Sequence, residues 1–185
     1  AAIGYSMTGP MQILLPKLAR QNLALTETVR GLYLGLLAAS LIVGGVLAVA
    51  LVRRVHNGLL IFGGIVVGSI LFAALAVISS AVASALVLAL VGVCGGLVMS
   101  LIVANLQINA QPRTRGRILA MYSMSSQVMP ALSGIAAGAL VRGNGLTEAI
   151  LISGMGLAMI AMVGASLMSA LRHHAGVSLA DVRTA

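Results

Sequence analysis

Residues 85–104 read ALVLALVGVCGGLVMSLIVA, a run of 20 residues that contains no charged side chain. A segment that crosses a bilayer as a helix needs about 20 largely apolar residues. Because hydrocarbon offers no partner to a free backbone amide, spanning segments are either helices or closed barrels. Barrel strands alternate apolar and polar residues over about ten positions, and this run does not alternate. The run therefore predicts a transmembrane α-helix.

The remainder of the chain has the same character. Of its 185 residues, 60% are apolar and 8% are charged, and the mean hydropathy is +1.12. Soluble domains carry about 25% charged residues, so this chain lacks the polar residues that would cover a water-soluble surface. We predict an all-α, polytopic membrane bundle of six transmembrane helices. The predicted helices are residues 1–15, 29–52, 59–78, 83–108, 118–141 and 148–171.

The ends and breaks of these helices follow from local signals. Pro16 predicts the end of the first helix and a loop over residues 16–28, and Pro130 predicts a kink within the fifth. A loop over residues 142–147 precedes the last helix. The bundle thus covers residues 1–171, and residues 172–185 form a polar tail. The chain opens inside an apolar segment without a basic leader, so we expect a truncated first helix and a start within a larger protein.

The basic residues lie between the apolar runs and favour one side of the membrane. Lys17, Arg20, Arg30 and Arg142 fall on one side. The other side carries a larger and more clustered set: Arg53, Arg54, Arg113, Arg115, Arg117, Arg172 and Arg183. The positive-inside rule places this second set, and with it the C-terminus, in the cytoplasm. The net charge of +8 forms no basic stripe with interleaved aromatics, so nucleic acid is not an expected partner.

The sequence contains no constellation typical of an enzyme. Its acids are Glu27, Glu148 and Asp181, which are predicted at helix ends or in the tail rather than at membrane depth. His173 and His174 supply two metal ligands without a third, and a solvated tail is the favoured interpretation. We therefore predict no catalytic residue, no metal site and no cofactor. If transport is coupled to protons, the titrating group should lie outside this chain.

Four glycine pairs have the spacing that lets membrane helices approach closely. They are Gly31 with Gly35, Gly64 with Gly68, Gly92 with Gly96, and Gly134 with Gly138. Small residues four positions apart form a notch on one helix face for the backbone of a neighbour. The pattern predicts tight packing, which we favour over a role as gating hinges.

The loop between the fourth and fifth predicted helices, with the helix that follows, carries a family resemblance. Residues 105–122 read NLQINAQPRTRGRILAMY, and residues 130–138 read PALSGIAAG. Together with LLPKLAR at 14–20 and GLYLG at 31–35, they resemble the major facilitator superfamily, and most of all the branch that includes the enterobactin exporter. The resemblance runs in order along nearly the whole chain. It implies the C-terminal half of a twelve-helix transporter, helices seven to twelve.

The resemblance also implies where the substrate path and its gate lie. In the family, the first, second, fourth and fifth helices of each half line the central path. The polar or soft residues on these helices are the substrate-cavity candidates: Tyr5, Met7, Gln12, Ser100, Tyr122, Ser126, Gln127 and Met129. For each, the alternative is an interhelical hydrogen bond, worth about 0.6 kcal/mol on average. The cytoplasmic gating and loop candidates are Asn105, Asn109, Arg113, Arg115, Gly116, Arg117, Arg53 and Arg54.

One feature departs from the family. Its members often carry an aspartate in the basic loop after the second helix of each half, and no acid lies near Arg53 and Arg54. The arginines at 113, 115 and 117 have two possible partners, the negative C-terminal ends of neighbouring helices and anionic lipid heads.

The function implied is secondary active transport, with export of small amphipathic molecules such as drugs or siderophores by alternating access. The expected partners are the N-terminal six-helix half, the lipid bilayer and the small-molecule substrate. The expected location is a bacterial plasma (inner) membrane. The alternative is a self-contained six-helix membrane protein that acts as a homodimer or as a scaffold without transport.

Overall fold

The structure is a computed structural model, and it describes the backbone of residues 2–21, 23, 26–51, 57–109 and 115–183. Within these ranges the side chains of 57–59, 109, 115 and 167–183 are excepted. The described segments are helical nearly throughout and contain no strand. The helices are α1 (Ala2–Ser6), α2 (Thr8–Gln21), α3 (Glu27–Leu51), α4 (Asn57–Ala74), α5 (Ala81–Asn109), α6 (Arg115–Asn144) and α7 (Leu146–Arg183).

Four helices in the described part of the chain are long and apolar enough to cross a membrane: Glu27–Leu51, Ala81–Ile108, Gly116–Asn144 and Leu146–Ser166. Leu60–Ala74 is a shorter apolar helix. Many large apolar side chains on these helices are exposed, among them Val49, Val82 and Ile135, as a lipid-facing surface requires. The all-α membrane bundle is therefore supported, while the count of six spans stays a prediction.

The first predicted helix is broken near its start and extends past its predicted end. Pro10 has no backbone N–H, and its ring clashes with the carbonyl four residues earlier, which belongs to Ser6. Accordingly α1 ends at Ser6, Met7 forms a turn and α2 begins at Thr8.

Pro16, by contrast, lies inside α2, which continues to Gln21. The prediction of a loop from Pro16 was wrong because packing outweighs the lost hydrogen bond: Leu14, Leu15 and Leu18 on both sides of the proline are essentially fully buried.

Two pairs of parallel helices and two antiparallel pairs organise the bundle, and one antiparallel pair is α4 with α5, where Gly64 lies against Val98 and Gly68 against Cys94. α3 packs along α5 in the same direction, and α1–α2 pack along α6 in the same direction. α4 runs antiparallel to α7, because Gly154 lies against Ser69 and Gly164 lies against Phe62. One end of the bundle thereby collects the starts of α1, α4 and α6 and the end of α5. A small apolar cluster of Ile65, Val98, Ile102 and Ala161 fills this end.

Glycine allows backbone contact between α3 and α5. A Cβ added to Gly96 would collide with the carbonyl of Leu41, and one added to Gly44 would collide with the carbonyl of Val93. The predicted notch at Gly92 and Gly96 is thus confirmed, and Gly64 and Gly68 also face neighbouring side chains. A Cβ added to Gly31, Gly35 or Gly138 would meet no other part of the described chain within 4 Å, so these three glycines form no close helix contact among the described residues, contrary to prediction.

Most other helix ends differ from prediction by a few residues, but the end of α7 lies at Arg183 instead of residue 171. α4 ends at Ala74 instead of residue 78 and is followed by a turn over residues 75–77. The predicted loop 142–147 contracts to Gly145, whose φ of 88° suits glycine and reverses the chain between α6 and α7. Pro130 lies inside α6, which stays one continuous helix. α7 continues through most of the predicted polar tail, to Arg183.

Candidate functional site

The break between α1 and α2 brings two hydroxyl groups and a methionine close together. The Thr8 hydroxyl donates to the carbonyl of Tyr5 at 2.6 Å, and the Ser6 hydroxyl donates to the carbonyl of Ile3 at 2.7 Å. Both hydroxyls are thereby satisfied within their own segment. Met7, at the turn itself, is 6% exposed, and its sulfur accepts a weak hydrogen bond from Ser69 on α4. The turn is therefore anchored on α4.

A cavity of about 310 Å³ opens between α2, α3 and α5, next to this turn. The first wall comprises Met7 and five residues of α2: Thr8, Met11, Gln12, Leu15 and Pro16. The opposite wall comprises Leu34, Leu37 and Leu41 of α3 with Gly95 and Met99 of α5. Its volume lies at the lower end of the range for small-molecule pockets, about 300–1,000 Å³. Thr8 and Gln12 are the two polar residues among these described lining residues, and none of the eleven is ionisable.

An open depression on α5 adjoins this cavity. Its volume is about 350 Å³, and Met99, Ser100, Val103, Ala104 and Gln107 line it. Met99 belongs to both, so the depression continues the cavity towards the end of α5. Ser100 and Gln107 give the depression a polar character that the cavity mostly lacks.

The structure brings some of the predicted cavity residues together. Met7 and Gln12 line the cavity, and Ser100 lines the depression beside it. Tyr5 and Tyr122 meet each other instead: their hydroxyls are hydrogen-bonded, and the rings pack edge to face at a centroid distance of 5.7 Å.

The other three candidates lie on α6 and line neither of these two volumes. Ser126 donates its hydroxyl hydrogen to the carbonyl of Ser123 at 2.8 Å, which is a bond within its own helix. Gln127 is exposed, and Met129 is half-buried. α6 packs mainly on α1 and α2, so the side of α6 that does not contact these helices is turned away from the cavity.

The gating candidates are only partly described. Asn105 donates from its amide to the carbonyl of Leu101 at 2.8 Å, and Gly116 and Arg117 are exposed at the start of α6. Arg53, Arg54 and Arg113 lie outside the described residues, as do the side chains of Asn109 and Arg115. The acids Glu27 and Glu148 lie in the first turns of α3 and α7, as predicted, where negative charge suits the positive helix end.

Sequence reasoning missed the apolar part of the cavity wall. Met11, Met99 and Gly95 line the cavity but resemble any other membrane residue in sequence. One signal was present: Met7 and Met11 are four positions apart, which places both on one side of a helix, although the break at Met7 interrupts that helix.

The described side chains contain no group of three or more His, Cys, Asp or Glu residues that would hold a metal ion. They present a helical membrane bundle with a largely apolar, charge-free cavity, which is the kind of site that a small-molecule carrier has.

Comparison with known protein families agrees with this class. The sequence model of the Major Facilitator Superfamily matches residues 1–134, and the chain therefore belongs to that superfamily of membrane transporters. No curated protein and no solved structure matches the chain. Membership of a transporter family is consistent with a protein that is not an enzyme.

Proposed function

We propose that this chain is the C-terminal half of a secondary active transporter that exports small amphipathic molecules, such as drugs or siderophores, by alternating access. In this mechanism the bundle rocks against an N-terminal six-helix half around a site near the middle of the membrane. The transporter would reside in a bacterial inner membrane with the basic loops and the C-terminus in the cytoplasm.

The observation that carries the proposal is the apolar cavity with its polar extension. The cavity between α2, α3 and α5 has methionine and leucine walls, and Ser100 and Gln107 line the adjoining depression. A molecule with an apolar body and a polar end matches this arrangement. Methionine adapts to differently shaped ligands because its side chain is flexible and polarisable.

Within this proposal, Met7, Gln12 and Ser100 contact substrate. Tyr5 and Tyr122 close the end of the bundle where α6 begins. Ser126, Gln127 and Met129 face the partner half, which is why they lie away from the cavity of this half. Asn105, Gly116 and the arginines of the basic loops act at the cytoplasmic gate.

The experiment compares cells that carry the full-length gene with cells in which it is deleted. Accumulation of an amphipathic dye and release of siderophore are measured in both, with and without the gene supplied in trans. We expect the deletion to raise dye accumulation or to reduce siderophore release, and complementation to reverse the change. Unchanged accumulation and release would refute export. Residues 1–185 produced alone should not restore either activity, and restoration would instead favour the self-contained homodimer.

A further inference from the structure

The walls of the cavity between α2, α3 and α5 constrain the chemistry of what it binds. None of its eleven described lining residues carries an ionisable side chain. A charged group placed there would lose its hydration without gaining a partner of opposite charge, which strongly disfavours binding. The lining therefore favours an uncharged group over a charged one.

The size of the cavity sets the second constraint. A volume of about 310 Å³ equals that of about ten water molecules at about 30 Å³ each. That space suits one fused ring system or a short branched chain. Gly95 contributes to it, because a Cβ at this position would lie 3.3 Å from the Leu41 side chain and would narrow the space between α3 and α5.

The side chains of the three methionines in the cavity wall differ in how freely they can move. Met7 is buried and hydrogen-bonded to the Ser69 hydroxyl, whereas Met11 on α2 and Met99 on α5 are half-buried and both line the cavity. Methionine sulfur also makes favourable contacts with aromatic ring edges. Met11 and Met99 are therefore suited to adjust around a ring, while Met7 forms a fixed end of the cavity.

We propose that the cavity between α2, α3 and α5 binds the uncharged aromatic or branched apolar part of the substrate, with Met11 and Met99 as its specificity-determining residues. The polar end of the same molecule lies in the depression at Ser100 and Gln107. This assignment rests on the proposed transport function, and it names the part of the substrate that this bundle selects.

The test uses the full-length protein in lipid nanodiscs with Cys94→Ala and Met99→Cys, so that a thiol stands in the cavity wall. Its alkylation by N-ethylmaleimide is followed by peptide mass spectrometry. Three probes share one ring system and differ in charge: 2-naphthalenemethanol, 2-naphthoate and 2-naphthylmethylammonium. The matched control is Met159→Cys in the same background, because Met159 is exposed on α7 and reports only how much probe and reagent enters the lipid.

We expect the neutral probe to slow alkylation at position 99, at concentrations at least about tenfold below those that either charged probe needs, because burial of an unpaired charge is costly. Alkylation at position 159 should not change. Met11→Cys should give the same protection from the opposite wall, which keeps the test decisive if Met99→Cys does not fold. Equal protection by the charged probes, or equal slowing at position 159, would overturn the assignment.

The two proposals fail separately. If the neutral probe protects position 99 while gene deletion changes neither dye nor siderophore transport, the cavity assignment stands and the export function is wrong. If deletion abolishes efflux while the neutral probe protects neither position 99 nor position 11, the export function stands and the cavity assignment is wrong.

Discussion

The hydroxyl of Tyr5 is hydrogen-bonded to the hydroxyl of Tyr122, which joins the short first helix to the beginning of α6. The two residues are 117 positions apart in the sequence, and their rings meet at an interplanar angle of 72°. Farther along the same helix pair, Gly9 contacts the backbone of α6 at Pro130 and Gly134. Since α1 is separated from α2 by the break at Met7, the tyrosine pair is a main polar attachment of α1 to α6.

The first prediction concerns this attachment. Tyr5→Phe and Tyr122→Phe each remove one hydroxyl of the pair and retain the ring. We expect each to lower the free energy of unfolding by about 0.6 kcal/mol, with an upper limit near 1.7, which is the range of interhelical hydrogen bonds in membranes. The double variant should lose no more than one single variant does. The measurement is a double-mutant cycle by unfolding in mixed micelles, and additive losses would show that the hydroxyls act independently.

The second prediction tests the backbone contact between α3 and α5. Gly96→Ala places a methyl group against the Leu41 carbonyl, so the helices must separate, and we expect a loss of about 1–3 kcal/mol. Gly35→Ala is the control, because Gly35 has no neighbour within 4 Å. Alanine favours helix over glycine by about 1 kcal/mol, so this variant should be unchanged or more stable. Thermal unfolding in detergent measures the stability of both variants. An equal loss of stability in Gly96→Ala and Gly35→Ala would contradict the close approach at Gly96.

The sequence predicted the helical membrane class because that class follows from composition and run length alone. It could not predict which prolines break a helix. Pro10 and Pro16 lie six positions apart in the same apolar segment, yet a break precedes Pro10 while the helix passes through Pro16. Both segments are buried, with Gly9 and Pro10 packed at the break and Leu14 and Leu15 packed beside Pro16, so the outcome depends on the tertiary contacts of each segment.

In the candidate site, too, some residues could be predicted from the sequence and others could not. Gln12 and Ser100 were predictable because a polar side chain in an apolar segment stands out, and both line the site volumes. Met11, Leu37 and Met99 were not, because their role depends on three helices meeting around them. Gly31 and Gly35 have the spacing of a packing notch. Whether another helix packs there depends on the position of the neighbouring helices, and no described residue contacts this notch.

The third prediction concerns Gln12, which carries the amide in the cavity wall. Gln12→Leu keeps the approximate size of the side chain and removes its hydrogen-bonding groups. A neutral hydrogen bond contributes about 0.5–1.5 kcal/mol, so the half-saturating concentration of an exported dye should rise by about two- to twelvefold. Asn144→Leu is the control, because Asn144 is an exposed amide at the end of α6 and lines neither the cavity nor the depression. Equal effects of the two variants on dye efflux would remove Gln12 from the substrate path.

The last prediction connects the helix break to the tyrosine pair. Pro10→Ala restores a backbone N–H that can donate to the Ser6 carbonyl, so α1 and α2 should join into one helix. Continuing the helix changes the direction of α1 relative to α6, and Tyr5 should then lose its contact with Tyr122. We expect the coupling measured by the Tyr5→Phe and Tyr122→Phe cycle to fall towards zero in the Pro10→Ala background. Pro16→Ala is the matched control, because Pro16 lies in an unbroken helix and its replacement should leave the coupling intact. Full coupling in both backgrounds would mean that the packing of Gly9 against Pro130, rather than Pro10 itself, holds the break.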